Sequence, residues 1–382
     1  MDGEKEALVV DSKSKRLVKN TVKGCVGEYR TMALFNKTKP LVGLDIGSSS
    51  LKAVELTKIK KNFQLSGFAY EPISPDAVVD GAIMDFLPIA ETIKKSFVEA
   101  KFKAKGVATG VSGHSVIVKR VVIPATTAEE VQASIQIDAE QYIPFDISEV
   151  NLDYQIVGPT MASEDAGMEV VLVAAKKDKI QNHTDVITLA GRTPEIVDID
   201  AFALQNAFEA NYKVDPDAAV ALLNIGASLM NINITKGGMP LFIRDVSVGG
   251  NQYTDILQKE LQLNFQEAED LKLGRTGGSE MEMVLPLLES ITEMLIMEVR
   301  KTFDFFRETY PSETISRVLL SGGTCRMHGL AEKIQATLGY PTEILDPFKA
   351  ITIGPKVNLG KVTSLGPALT VAVGLALRGF DQ

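Results

Sequence analysis

Cysteine, histidine and long apolar runs are all scarce in this 382-residue chain, and each scarcity removes a class of protein. The two cysteines, Cys25 and Cys325, lie far apart without metal-type spacing. Neither a disulfide framework nor a thiolate metal site is predicted, and a reducing cytoplasm is the natural setting. The three histidines, His114, His183 and His328, are isolated from one another. That disfavours a metalloenzyme and leaves each as a structural or solvated residue. No apolar stretch is predicted to span a membrane, which takes roughly 20 residues; the most apolar one, Ala368–Leu377, is too short. The segment Met1-Asp-Gly-Glu-Lys-Glu6 has no apolar core, so no signal peptide is expected.

An excess of positive charge is lacking too. Forty Lys and Arg face 49 Asp and Glu, for a net charge of −9, which argues against a nucleic-acid protein. The balance is uneven: residues 1–39 carry nine basic and five acidic side chains (+4), leaving the other 343 residues at −13. This basic extension reads as a flexible, solvated tail, with contact to anionic lipid as the alternative. No function is assigned to it.

What is present is ordinary globular material, 45% hydrophobic and 23% charged, enough for two or three compact units. Strands are predicted at 41–46, 51–59 and 63–70, then a helix near 86–101 whose apolar residues keep helical spacing. Strands at 107–112 and 115–123 lead to a helix opened by Thr127, with Glu130 three residues on as a capping box, and stopped by Pro144. Strands 152–157 and 169–174, a helix at 177–191, a strand at 195–199 and a helix at 201–212 complete the first part. After the linker Val214-Asp-Pro-Asp217 the order returns: three strands over 219–248, helices at 249–262, 265–273 and about 283–309, a strand at 318–321 and a helix at 330–338. Three strands then helix, given twice, predicts a duplicated α/β architecture with mixed sheets. Met281, Met283, Met294 and Met297 fall on helical spacing and read as core filling.

The chemistry-bearing motifs sit in that repeat. Leu41-Val-Gly-Leu-Asp-Ile-Gly-Ser-Ser-Ser-Leu-Lys52 and Val220-Ala-Leu-Leu-Asn-Ile-Gly-Ala-Ser-Leu-Met230 are each a strand, a turn of glycine and small residues, and a second strand. Such turns converge backbone N–H groups on one point and favour an anion, so two facing copies would clamp a polyphosphate. Asp45, at a strand end, suits a hydrated Mg²⁺, which takes few direct protein ligands. Gly47 lets the turn close, Ser48, Ser49 and Ser50 can face phosphate oxygens, and Lys52 returns as a cation. The second hairpin offers Gly226, Ala227 and Ser228, but Asn224 stands where the first has Asp45 and supplies no charge. A third turn, Ser321-Gly-Gly-Thr324, would let a base or ribose approach Gly322 and Gly323; a plain strand–turn–helix is the alternative. Glu269 and Lys272 share one helical face, as part of a site or as a surface ion pair.

In this order, the hairpins, the Ser-Gly-Gly-Thr turn and the Ala268-Glu-x-x-Lys272 helix resemble the actin-like nucleotide-binding superfamily over about 40–382. Asp138-Ala-Glu-Gln-Tyr-Ile-Pro-Phe-Asp146, Leu152-Asp-Tyr154 and Phe242-Ile-Arg-Asp-Val-Ser-Val-Gly-Gly-Asn-Gln252 further resemble the PilM family of type IV pilus assembly proteins, whose nearest relative in architecture is the cell-division protein FtsA. The resemblance implies a duplicated actin-like, ribonuclease H-like fold with an FtsA-like relocated small subdomain at about 114–195. The first half would span 40–113, continued at 196–213 and 360–382. The second half would span 214–359, with a helical subdomain at about 249–315. It implies ATP with Mg²⁺ between the halves, at Asp45, Gly47, Ser48, Ser49, Lys52, Asn224, Gly226, Ala227, Ser228, Glu269, Lys272, Gly322 and Gly323. Asp200 matches the family's water-orienting position, and a carboxylate there could polarise a water.

The resemblance also implies partners. PilM-like proteins bind the cytoplasmic N-terminal peptide of PilN, an inner-membrane protein, in a groove beside the small subdomain. Tyr142, Ile143 and Phe145 could line that groove or cap a core. The implied role is a cytoplasmic, ATP-binding adaptor at the inner membrane, touching the membrane only through partners and linking PilN to the pilus motor ATPases and platform protein. Self-association into rings or filaments is open. Asn224 and Ala227 depart from the acidic pattern of actin-like ATPases, so hydrolysis is expected to be slow or absent. The alternative is a small-molecule kinase of the same superfamily, which needs a base beside an acceptor pocket; no convincing base is visible.

Overall fold

The computed structural model describes residues 39–380, apart from 75, 80, 126, 161–166 and 276–278 and the side chains of 279–283. Most of the basic extension, Cys25, most of the loop 158–167 and the side chains of Met281 and Met283 therefore lie outside the described residues.

The first half is a six-stranded sheet ordered Thr193–Ile199, Gly106–Val111, Val42–Ile46, Ser50–Ile59, Asn62–Pro72, Thr352–Ile353. The second is a five-stranded sheet ordered Met239–Val246, Met230–Lys236, Ala219–Ile225, Ile315–Ser321, Thr342–Ile344. In both, the first strand of the half is central, antiparallel to the strand after its glycine turn and parallel to a later one. The alternation that the sequence shows is what permits this. Ala53 faces a core with the helices Phe86–Glu99 and Lys177–Leu189, while neighbouring Val54 faces a core with the helix Thr370–Leu377 on the other side.

The helix Asp200–Asn211 is buried on nearly every side, because it lies between the two halves. Ala203 joins the first-half core, while Leu204 and Phe208 meet Val220, Leu222 and Leu319 of the second. Apolar side chains all round a helix are what such a position requires. Against it packs Thr370–Leu377, so closely that a methyl group on Gly374 would overlap the carbonyl of Ala203. By length and composition, the run Leu359–Phe380 is apolar enough to cross a membrane, more than the short stretch 368–377 suggested. In this fold it is divided into short helical pieces, and every residue of Thr370–Leu377 is buried.

Between Gly106–Val111 and Thr193–Ile199 the chain builds a small three-stranded antiparallel sheet, ordered Val116–Ile123, Met168–Lys176, Val150–Pro159. The helix Ala128–Asp138 covers it and opens on the predicted capping box of Thr127 and Glu130. This sheet ends at Lys176 rather than near 195. Lys177–Leu189 carries Val186 and Ile187 into the first-half core, and Thr193–Ile199 pairs with Gly106–Val111. An amphipathic helix fits either neighbour, and only the sheet pairing beyond it decides which. The chain also returns to the first half by Thr352, before 360. Helices Gly250–Leu261, Phe265–Lys272, Ser279–Thr309 and Leu330–Leu338 share one core with the second sheet. Of the methionines read as core, Met294 packs against it, whereas Met297 is 49% exposed.

Candidate functional site

The two hairpin turns face each other. Each closes through its glycine, Gly47 N–H to Ser50 O (3.1 Å) and Gly226 N–H to Leu229 O (2.9 Å). Their tips meet at Ser48 Oγ and Ser228 Oγ, 2.5 Å apart. Among the described residues, the N–H groups of Ser48, Ser49, Ala227 and Ser228 find no acceptor. Four such donors beside one another are a nest for an anion.

Strand register brings the charged residues to the same place. Asp45 is the cross-strand partner of Lys52, and the two form an ion pair at 3.3 Å. The ammonium sits over the turn, 2.7 Å from where a side chain on Gly47 would begin. In the second hairpin the equivalent register pairs Asn224 with Asn231. There the ion pair is replaced by an amide pair, Asn224 Nδ2 donating to Asn231 Oδ1 at 2.9 Å. Asn224 Oδ1 accepts from Ser321 Oγ at 3.3 Å. The duplication conserves shape and exchanges a charged pair for a neutral one.

Asp200 opens the helix between the halves and accepts a hydrogen bond from Ser112 Oγ at 2.5 Å. A side chain on Gly110 would overlap its carboxyl, so a glycine is what leaves it room. Burial, then the nearby charge of Asp45, pushes the Asp200 carboxyl up to about 7. A group that titrates near neutrality can hold or release a proton, or accept a cation in its place. Asp245 is a neighbouring carboxyl, also raised chiefly by burial. It accepts from Asn231 Nδ2 at 2.7 Å and from the backbone N–H of Gly113 at 2.6 Å.

Glu269 and Lys272 are not a surface pair. Lys272 is buried beneath the second hairpin, bonded to Glu269, to Thr254 Oγ1 (2.9 Å) and to Gly250 O (3.3 Å). Loss of solvent holds its ammonium below the usual lysine range. Gly250 N–H and Thr324 Oγ1 both bond to Gly226 O, at 2.9 and 2.8 Å, which ties this cluster to the turn. The two glycines of the third turn differ. Gly322 adopts φ +90° and packs on the backbone of Ile225, a need of the fold. Gly323 faces open space and leaves its backbone approachable.

Tyr142, Ile143 and Phe145 belong to the small subdomain's own core: Ile143 is buried, and the other two pack against it in part. A cavity of about 480 Å³ lies elsewhere, between the strands Val116–Ile123 and Met239–Val246. Its walls include Val118, Phe242, Phe305 and Tyr310, with Lys119 and Arg244 at hand. None of the three aromatic-cluster residues lines it. The histidines stay apart: His183 is buried, its imidazole held down to about 4, while His114 bonds to Ser247 Oγ at 2.9 Å. Among the described residues no cluster of His, Cys, Asp and Glu could hold a metal by itself. Cys325 is free and buried, its thiol pushed up to about 12.

Ser112, Asn231, Asp245 and Ser321 are the residues that sequence reasoning missed. Asp245 and Ser321 lay within motifs quoted for other reasons, and Asn231 stands seven residues after Asn224 as Lys52 does after Asp45.

Comparison with known proteins identifies the fold and the family. The family profile described as type IV pilus assembly protein PilM matches residues 43–380. A solved structure described as the PilM–PilN type IV pilus biogenesis complex is similar at a TM-score of 0.80 and 28% identity, covering 91% of this chain and all of the other. The cell division protein FtsA of Pseudomonas aeruginosa is 21% identical over 395 residues, 92% of each chain. The ethanolamine utilization protein EutJ of Carboxydothermus hydrogenoformans shares the fold at a TM-score of 0.54 and 15% identity, covering 88% of this chain and 89% of that one. The fold is the duplicated actin-like one, and with the family profile spanning nearly all of it, the chain belongs to the PilM family of type IV pilus assembly proteins.

Proposed function

We propose that this chain is a nucleotide-loaded adaptor, cytoplasmic and peripheral to the inner membrane, that holds ATP between its halves and the N-terminal peptide of PilN in the groove beside its small subdomain. The observation that carries the reading is the meeting of the two turns at Ser48 and Ser228, with Asp45, Lys52 and Asp200 around them. The residues present fit a magnesium–nucleotide complex. Unpaired N–H groups and the Lys52 ammonium suit phosphate oxygens, and the Asp45 and Asp200 carboxyls suit a hydrated cation. Bound Mg²⁺ would offset the charge of the polyphosphate. The amide of Asn224 is engaged on both sides and brings no charge, which supports binding with weak or no hydrolysis.

For the peptide, the groove offers two sheet edges. Val116–Ile123 and Met239–Val246 each end their sheet, and both line the cavity. An extended segment can add to such an edge, backbone to backbone, with its apolar side chains against Phe242 and Phe305. Their rings stand 5.5 Å apart as one wall. The similar structure described as a PilM–PilN complex supports PilN as the occupant. Links from there to the motor ATPases and platform protein, and any ring or filament, belong to the same reading.

Fluorescence anisotropy with a synthetic PilN N-terminal peptide tests it. Binding in the micromolar order is expected, and Phe305→Glu should abolish it. Phe305 is 55% exposed, so that charge costs the fold little. Absence of binding, or phosphate transfer to any of a panel of small acceptors, would overturn the adaptor reading in favour of a kinase.

A further inference from the structure

Strand register lines up the ends of the second sheet. Ser321, Asn224, Asn231 and Asp245 stand opposite one another on four adjacent strands, in that order. Neighbouring strands lie about 4.8 Å apart, so the row is about 14 Å long. At its Ser321 end is the third turn, where Gly323 faces open space. At its Asp245 end are Gly113, which donates to Asp245 at 2.6 Å, and Ser112, which donates to Asp200 at 2.5 Å. Lys179 closes that end. It is 6% exposed, lies in the first turn of the helix Lys177–Leu189, and its ammonium donates to Gly81 O at the tip of the hairpin of Val78–Val79 and Ala82–Ile83. A side chain on Gly81 would begin 2.7 Å from that ammonium and 3.8 Å from the carbonyl oxygen of Ser112.

We propose that Lys179 is a specificity-determining residue of the cleft, whose buried charge admits the third phosphate of a nucleoside triphosphate and so favours Mg·ATP over Mg·ADP. This rests on the reading above, of a nucleotide between the halves. With base and ribose at the third turn and the phosphates over the two facing hairpin turns, the row of strand ends gives the phosphates their direction. The terminal phosphate, the part that ADP lacks, then lies toward the Asp245 end.

That end needs a cation. Asp200 and Asp245 are both buried there, and a further phosphate brings more negative charge beside them. The Lys52 ammonium is already paired with Asp45 at 3.3 Å. Lys179 is the lysine whose charge reaches both carboxyls, drawing each down against its burial. Where water is excluded, a fixed charge acts over several ångströms with little screening, so it can offset that repulsion without touching the phosphate. The bond to Gly81 O fixes where the charge sits. A lysine that did no more than pin the hairpin would treat the two nucleotides alike.

The test is displacement of a fluorescent nucleotide from the full chain by a non-hydrolysable ATP analogue and by ADP, each in the same excess of Mg²⁺. Lys179→Gln removes the charge, while its amide can still donate to Gly81 O. The ratio of the ADP to the ATP-analogue dissociation constant should fall about tenfold in that variant, through weaker triphosphate binding. Should circular dichroism show Lys179→Gln misfolded, Lys179→Met, apolar and of similar length, serves instead with the same expected fall. An unchanged ratio, whether both affinities drop together or neither moves, overturns the role of Lys179 and leaves the nucleotide reading standing. Failure of the unaltered protein to bind either nucleotide overturns that reading, and this inference with it.

Discussion

Replacing Asp45 by alanine separates two roles that one carboxylate is placed to fill. It pairs with Lys52 at 3.3 Å, both side chains being about seven-eighths buried (15% and 13% exposed), and it stands beside Asp200, whose proton it helps to retain. Loss of the pair alone should cost about 1 kcal/mol of stability, since water still reaches both ends. If the carboxylate also anchors a hydrated Mg²⁺, the variant loses charge-assisted hydrogen bonds worth about 1.5–3 kcal/mol. At about 1.4 kcal/mol per factor of ten, affinity for Mg·ATP should fall roughly 10- to 150-fold. In EDTA the sign changes: a negative charge near the phosphates has gone, so the variant should bind free ATP as well as the original or better. The assay is fluorescent-ATP anisotropy in Mg²⁺ and in EDTA, with carboxyl titration by NMR alongside. Asp200 should titrate lower in the variant, because Asp45's charge is among the causes of its elevation. An equal loss in both media would mean that Asp45 merely positions Lys52. No loss in either would refute the clamp.

Other expectations follow from the same contacts. The Asp200 carboxyl titrates at about 7 in the fold against an ordinary 3.8, so the folded chain keeps a proton that the unfolded chain has lost. Stability from this group is therefore full below about 4, falls as pH rises to about 7, and is gone above. Asp200→Asn should flatten that part of the urea-midpoint profile; the slope from Asp153, another buried carboxyl near 7, should persist. Cation binding must displace the same proton, so Mg·ATP affinity should rise between about pH 6 and 8 in the original and much less in Asp200→Asn. A parallel rise in both would exclude Asp200 from the site. Gly374→Ala drives a methyl into the backbone of Ala203, which cannot yield as a side chain can. A loss of about 3 kcal/mol is expected, the upper end of overpacking costs. An unchanged urea midpoint would show that the helices Thr370–Leu377 and Asp200–Asn211 part freely.

The hairpins were legible because everything that makes them is local. Alternating apolar residues set the strands, Gly47 and Gly226 set the turns, and a register fixed by a short turn puts Lys52 opposite Asp45. The capping box of Thr127 and Glu130 is likewise spelled within four residues, and its two reciprocal hydrogen bonds are present. Lys272 was half legible: its spacing from Glu269 predicted the pair, but nothing within one turn of helix tells a buried ammonium from a surface one. The aromatic cluster at 142–145 was ambiguous for the same reason, since large apolar side chains serve a core and a groove alike.

The sequence alone thus determined two similar halves, two anion-seeking turns, and an imbalance between Asp45 and Asn224, because strand periodicity, turn chemistry and residue charge act over a few neighbours. Tertiary structure decided that the turns face each other, that Lys177–Leu189 serves the first half, and that Asp245 reaches Gly113 across 132 positions of chain. Those outcomes depend on which surfaces exclude water from each other, and that is settled only when distant segments compete for the same partners.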